Sequence, residues 1–116
     1  MNPMPDNCLF CRIVRKEIPA TLVLENEHVI AFRDIDPKAP THVLVVPREH
    51  VATLDDTTSE SMLGQMLLAA AAIAREEGLV AGGYRTVINT GAGAGQSVFH
   101  LHVHVLGGRK MNWPPG

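Results

Sequence analysis

The stretch Val98-Phe99-His100-Leu101-His102-Val103-His104-Val105-Leu106 decides the reading of this chain. Side chains alternate faces along a strand, so His100, His102 and His104 fall on one face and Leu101, Val103 and Val105 on the other. Successive imidazoles are then expected roughly 6.5–7 Å apart. The apolar face suits a core and the imidazole face a site, because a merely solvated face would use Thr, Lys or Glu more readily than three His. Two chemistries fit such a strip. One is metal ligation. The other is a nucleophilic imidazole whose neighbours bind an anionic centre, since a pKa near neutrality leaves a populated neutral form.

Just upstream, Gly91-Ala-Gly-Ala-Gly95-Gln96-Ser97 delivers the chain into the histidine strand. Glycines let a turn expose successive N–H groups as an anion-binding nest, and Gln96 and Ser97 add side-chain donors. No Gly-Lys-Ser/Thr follows, as a Walker loop requires, and Gln96 stands where a dinucleotide fingerprint needs its third Gly. Beside three imidazoles, phosphate binding is the expectation; a plain flexible hairpin loop is the alternative.

Further out, the chain reads as a short helix over Cys8–Lys16 and β-prone runs Thr21–Leu24 and His28–Phe32 joined as a hairpin. A proline-bearing loop Asp34–Pro40 follows. Thr41–Val46 is a nearly continuous apolar run closed by Pro47, expected to be a central strand covered on both faces. Thr57 and Glu60 have capping-box spacing before the one long helix, which is expected to begin near Ser59. Its apolar stripe is Met62, Leu63, Met66, Leu67, Ala70, Ile73 and Ala74, and Gly78 is expected as its C-terminal cap. Tyr84–Asn89 and Val98–Leu106 complete five strands. The class is α+β: a five-stranded antiparallel sheet with one long helix and a short N-terminal helix. Residues 1–7 are expected to be a flexible N-terminus and 107–116 a C-terminal tail.

Composition bounds the function. With 116 residues, 46% hydrophobic and 19% charged, the chain makes a single domain over 1–116 that buries roughly two-thirds of its unfolded surface. A net charge of −2 and no basic run argue against nucleic acid as a partner. No secretory signal is read at the N-terminus. The longest apolar run, Met66 to Ala74, is about half of a membrane span. A soluble cytoplasmic protein with no membrane partner is expected. There, two Cys are reduced or metal-bound more often than paired. Cys8-Leu-Phe-Cys11 alone suits zinc, redox chemistry or two packed thiols. His28, with no partner in view, reads as a surface or edge histidine.

Gln96-Ser-Val-Phe-His100-Leu-His-Val-His104-Val-Leu resembles the His-φ-His-φ-His-φ-φ signature of the histidine triad (HIT) superfamily, where φ is apolar. Phe10 with Arg12-Ile-Val14, Glu17-Ile-Pro19, Ala31 to His42, Val45-Val-Pro-Arg-Glu-His50 and Trp113-Pro-Pro-Gly116 are similar to its nucleotide-binding branch. The resemblance implies a homodimer whose sheets join into ten strands, binding purine nucleoside monophosphates. It implies a nucleoside phosphoramidase that cleaves AMP–amine P–N bonds and needs no cofactor for catalysis. His102 would be the nucleophile forming a nucleotidyl-imidazole intermediate. His104 would bind the phosphate, His42 would orient His102, and His100 would act through its backbone. Ser97 would meet the leaving amine, and Gln96 and Gly95 would hold the phosphate. His104, where the nucleotidylyltransferase branch has Gln, favours a hydrolase.

The same resemblance sets the nucleoside against Phe10 and Ile35, with Asp34 on the ribose hydroxyls, and makes Trp113 a specificity residue supplied by the partner subunit. Without the resemblance, Asp34 reads as a loop residue satisfying backbone N–H groups; Asn89, a further substrate-binding candidate, is equally ambiguous. In some relatives a structural zinc lies on positions that here are Cys8, Cys11, His50 and His100. The alternatives are a dinucleoside polyphosphate hydrolase, against which the Trp-Pro-Pro-Gly ending argues, and a non-enzymatic nucleotide-binding regulatory module.

Overall fold

A computed structural model describes Pro5 and residues 7–116 of the chain. The expectation for residues 1–7 concerns mostly residues 1–4 and 6, which lie outside the described residues.

Thr41–Pro47 (β3) is the central strand. Its odd and even residues serve two different cores. Val43 and Val45 pack with Val29 and Ala31 of β2 (Val29–Arg33) on one face, while Leu44 and Val46 pack with Ile30 and Phe32 on the other. The continuous apolar run is thus covered on both sides, as expected. β1 (Leu22–Glu25), β4 (Tyr84–Val87) and β5 (Val103–Gly107) complete an antiparallel sheet of order β1-β2-β3-β5-β4. The hairpin between β1 and β2 is closed by Asn26, whose Oδ1 accepts from His28 N and Val29 N at 2.8 and 2.9 Å. His28 itself is exposed.

Two helices cover the two faces. The long helix α2 (Glu60–Glu76) buries Met66, Ala69, Ala70, Ile73 and Ala74 against Val103, Val105, Val43 and Val45. Leu67, expected in that stripe, is half exposed. Its N-terminus also differs from the expected capping box: Ser59 is the cap, accepting from Met62 N at 3.0 Å, and Thr57 Oγ1 accepts from Ser59 N. The C-terminus is as expected. Gly78, at φ 72°, follows the cap. Gly78 N donates to Arg75 O and Leu79 N to Ala74 O, a Schellman closure that a left-handed glycine makes possible. The short helix α1 (Leu9–Val14) lies on the opposite face, with Phe10, Cys11, Ile13 and Val14 buried against Ile30, Phe32, Leu44 and Val46.

The last strand is shorter than its sequence suggests, Val103–Gly107 rather than Val98–Leu106. Val45 faces Val103, so continuing the ladder would set Leu101 opposite Pro47. Proline has no N–H to donate. Leu101 N instead donates to Val51 O at 2.7 Å, and the Pro47 carbonyl accepts from the His100 ring at 2.8 Å. β4 likewise stops at Val87, short of Asn89.

Candidate active site

The register of β3 and β5 determines which imidazoles meet. His42 faces Leu106 and Leu44 faces His104, so all four side chains share the face that carries α1, with His42 and His104 as diagonal neighbours. His42 Nε2 lies 2.9 Å from His104 Nδ1. Lys38 N donates to His42 Nδ1 at 3.0 Å. A ring nitrogen that accepts carries no hydrogen, so neutral His42 holds its proton on Nε2 and donates it to His104 Nδ1. The proton of His104 is thereby assigned to Nε2.

His102 takes the opposite tautomer. Its Nδ1–H donates to the carbonyl of His100 at 2.7 Å, which leaves Nε2 as a bare lone pair. The rings of His102 and His104 are 4.9 Å apart between centroids. This spacing replaces the even separation of three imidazoles expected on a strand, because residues 98–102 are not in the ladder. Phe10 stands edge-on to His102 at 5.1 Å and to His100 at 6.0 Å. A lone-pair nitrogen and a donor nitrogen thus sit side by side.

Burial keeps these imidazoles neutral. It lowers His102 and His42 against the opposing pull of Asp34, and lowers His104 to about 4, helped by His102 and His42. His42 Nε2 is 3.5 Å from Asp34 Oδ2, so with a neutral ring this contact is a polar one rather than an ion pair.

Both His102 and His104 line a cavity of about 690 Å³ between α1, β2 and the loop after it. Of the expected substrate contacts, Phe10, Asp34, Ile35 and Ser97 also line it, with Ile35 fully exposed. Asp34 Oδ1 accepts from Asp36 N at 2.8 Å, the loop role read from sequence, yet its carboxylate still borders the cavity. The apolar wall includes Ile13, Phe32 and Leu44. Alternation along β2 and β3 could have singled out Phe32 and Leu44, since both lie on the His104 face.

Four expected substrate contacts fall outside that lining: Asn89, Gly95, Gln96 and Trp113. Gln96 is buried; its Oε1 accepts from Gly91 N at 2.9 Å and its Nε2 donates to Ala52 O and Val98 O. Its side chain therefore builds the loop. The glycine turn is not an open nest either, because the amides of Ala94, Gly95 and Gln96 bond to carbonyls of Gly91 and Ala92 within it. Gly95 closes it at φ 97°, a left-handed conformation that a side chain would strain, and a Cβ there would stand 4.0 Å from Asn89 Nδ2. Trp113 is 82% exposed. His42 contacts His104 rather than orienting His102, whose ring is held by the His100 carbonyl.

A second cluster lies behind the first. Cys8, Cys11, His50 and His100 place their donor atoms within 4.8 Å of one another. His100 Nδ1 is 3.4 Å from each Sγ and 3.3 Å from His50 Nδ1, and Cys11 Sγ is 3.2 Å from His50 Nδ1. Four ligands on a tetrahedral zinc, with Zn–S about 2.3 Å and Zn–N about 2.0–2.1 Å, lie roughly 3.3–3.8 Å from one another. The donor set fits. His100 Nε2–H is fixed on Pro47 O, which turns a lone pair toward the thiols, the outer bond that ligating histidines commonly make. Burial and the neighbouring Cys8 push the Cys11 thiol up to about 12, so a bound cation would have to displace its proton.

The chain matches the HIT domain family over residues 15–111. It is 50% identical over 112 residues to the 14 kDa zinc-binding protein of Zea mays, covering 93% of this chain and 87% of that protein. It is 44% identical over 110 residues to the purine nucleoside phosphoramidase of Escherichia coli, covering 93% and 92%. The crystal structure of a HIT family hydrolase from Legionella pneumophila superposes with a TM-score of 0.93 at 51% identity, over 95% of this chain and all of that one. By this family match, near full-length similarity and shared fold, the chain belongs to the HIT domain family.

Proposed function

We infer that the chain is a hydrolase of purine nucleoside phosphoramidates. The observation that carries this reading is the pair of opposite tautomers at the cavity wall: His102 with a free Nε2 lone pair, His104 with an Nε2–H. The likeness to the Escherichia coli phosphoramidase supports the same chemistry. His102 Nε2 attacks phosphorus, the P–N bond to the amine breaks, and the amine departs with a proton drawn from solvent, which the attacking water returns in the second step. Water then attacks the nucleotidyl-imidazole, breaking the P–N bond to His102 and releasing the nucleoside monophosphate. His104 Nε2–H donates to a phosphate oxygen throughout, held in that tautomer by His42. Ser97 stands at the phosphate end of the cavity, Asp34 accepts from the ribose hydroxyls, and Phe10 and Ile35 flank the base.

Three further assignments accompany this reading. Cys8, Cys11, His50 and His100 hold a structural zinc, supported by the donor geometry and by the likeness to the maize zinc-binding protein. The working unit is a homodimer in which Trp113 acts on the partner's site, supported by its exposure here. The setting is the cytoplasm, in keeping with two unpaired cysteines. Among the described residues no helix is long and apolar enough to cross a membrane.

Amine release from a fluorogenic adenosine phosphoramidate tests the activity. Wild type is expected to turn over, and His102→Ala to lose several powers of ten in kcat. Absence of turnover by wild type would remove the proposal.

A further inference from the structure

Residues 108–112 join the end of β5 to Trp113, and they are fastened to the sheet at both ends of the span. At Gly108 the chain passes closely over Pro40: a Cβ on Gly108 would stand 2.9 Å from Pro40 Cβ. Arg109 Nε donates to the Lys38 carbonyl at 3.0 Å, and its Nη1 donates to the Lys110 carbonyl at 3.1 Å. Arg85 of β4 donates from Nη2 to the Asn112 carbonyl at 2.8 Å.

The last of these bonds bears directly on Trp113. The Asn112 carbonyl belongs to the planar peptide unit that ends on the Cα of Trp113. A guanidinium fixed on that oxygen therefore fixes the plane from which the indole departs. Trp113 itself is almost wholly exposed, so packing within its own subunit does little to aim it. Arg85 is anchored in turn by the β4–β5 ladder, where it faces Leu106, and Leu106 faces His42 on its other side. Residues that face one another across antiparallel strands share a face, so the Arg85 side chain leaves the sheet on the side that carries the imidazoles.

We propose that Arg85 is a positioning residue: its guanidinium, held on the Asn112 carbonyl, sets the direction in which Trp113 is presented to the amine end of the partner subunit's site. This role rests on the reading of Trp113 given above and adds to it the group that aims the indole. An amine bulky enough to reach the indole feels the loss of Arg85. Ammonia, with nothing beyond its nitrogen, does not. Arg85 isolates the effect better than Arg109, whose partner Lys38 also holds His42 through its N–H.

The test measures kcat/KM on two substrates, the adenosine phosphoramidate of a fluorogenic aromatic amine and that of ammonia. The proteins compared are wild type, Arg85→Ala, Arg85→Lys, Trp113→Ala and the double variant Arg85→Ala/Trp113→Ala. Trp113 is the single Trp of the chain, so fluorescence anisotropy reads its mobility directly. Arg85→Ala should lower kcat/KM for the aromatic amine roughly five- to tenfold, the scale of one hydrogen bond, leave the ammonia substrate unchanged and lower the anisotropy. Arg85→Lys, which keeps a cationic donor, should fall between wild type and Arg85→Ala. In the Trp113→Ala background, Arg85→Ala should have no further effect on the aromatic substrate. Equal losses on both substrates, the same loss with and without Trp113, or unchanged anisotropy would overturn the role. So would a change of mass in light scattering with Arg85→Ala, which would assign Arg85 to assembly of the dimer. If wild type shows no turnover, the activity reading fails; if Trp113→Ala matches wild type on both substrates, the reading of Trp113 fails. In either case the anisotropy still decides whether Arg85 fixes the segment.

Discussion

His42 donates from Nε2 to Nδ1 of His104 across 2.9 Å, and thereby fixes which nitrogen of His104 can donate to a ligand. Removing His42 leaves His104 free to adopt either tautomer and deprives a partly buried acceptor of its donor. His42→Ala should lower kcat/KM roughly five- to tenfold, the equivalent of about 1 kcal/mol for one hydrogen bond. Steady-state kinetics at neutral pH measure it, and an unchanged kcat/KM would show that His104 needs no such partner.

The burial that keeps His104 neutral also makes stability depend on pH. Its pKa falls from 6.5 to about 4 in the folded chain. Between those values the unfolded chain binds more protons than the folded one, so stability rises with pH across that window and is lost as pH falls through it. Urea midpoints at pH 7 and pH 5 should therefore drop more in wild type than in His104→Gln, which has no proton to gain. Equal drops in the two proteins would contradict the assignment.

Among the described residues, Asp34 is the one carboxylate lining the cavity. In Asp34→Asn, a charged hydrogen bond worth about 1.5–3 kcal/mol is weakened. KM for a ribonucleoside phosphoramidate should rise by roughly tenfold or more. The matching 2′,3′-dideoxy substrate, which offers Asp34 no hydroxyl, should be bound by both proteins alike. A parallel loss on both substrates would assign Asp34 to the loop alone.

Stability and chemistry should separate by sheet face. Ile73 is buried between α2 and the sheet, on the side away from the imidazoles. Ile73→Ala should cost about 2–5 kcal/mol of stability in urea titrations, with kcat of the folded protein unchanged. A matching loss of kcat would mean that α2 packing reaches the site.

Much of this was legible in the sequence where the deciding interaction is local. The two-sided burial of β3 follows from its continuous apolar run, and the left-handed closure at Gly78 from a glycine placed after an amphipathic stripe. The cap at Ser59 was missed because Thr57 offers the same spacing chemistry two residues earlier, and the chain satisfies both hydroxyls. What depends on register could not be read locally. The early end of β5 is set by Pro47, a residue remote in sequence that would face Leu101. The His42–His104 contact likewise needs the pairing of His42 with Leu106. Periodicity placed three imidazoles on one face; the structure divides them between two clusters, with His100 turned toward the thiols.

In the proposed reaction the free Nε2 of His102 becomes covalently bonded to phosphorus. Alkaline rapid-quench mass spectrometry during turnover of an adenosine phosphoramidate tests it most directly. One adenylyl group is expected on the peptide that carries His102, absent from His102→Ala. Turnover with no adduct, or with the adduct on another residue, would contradict it.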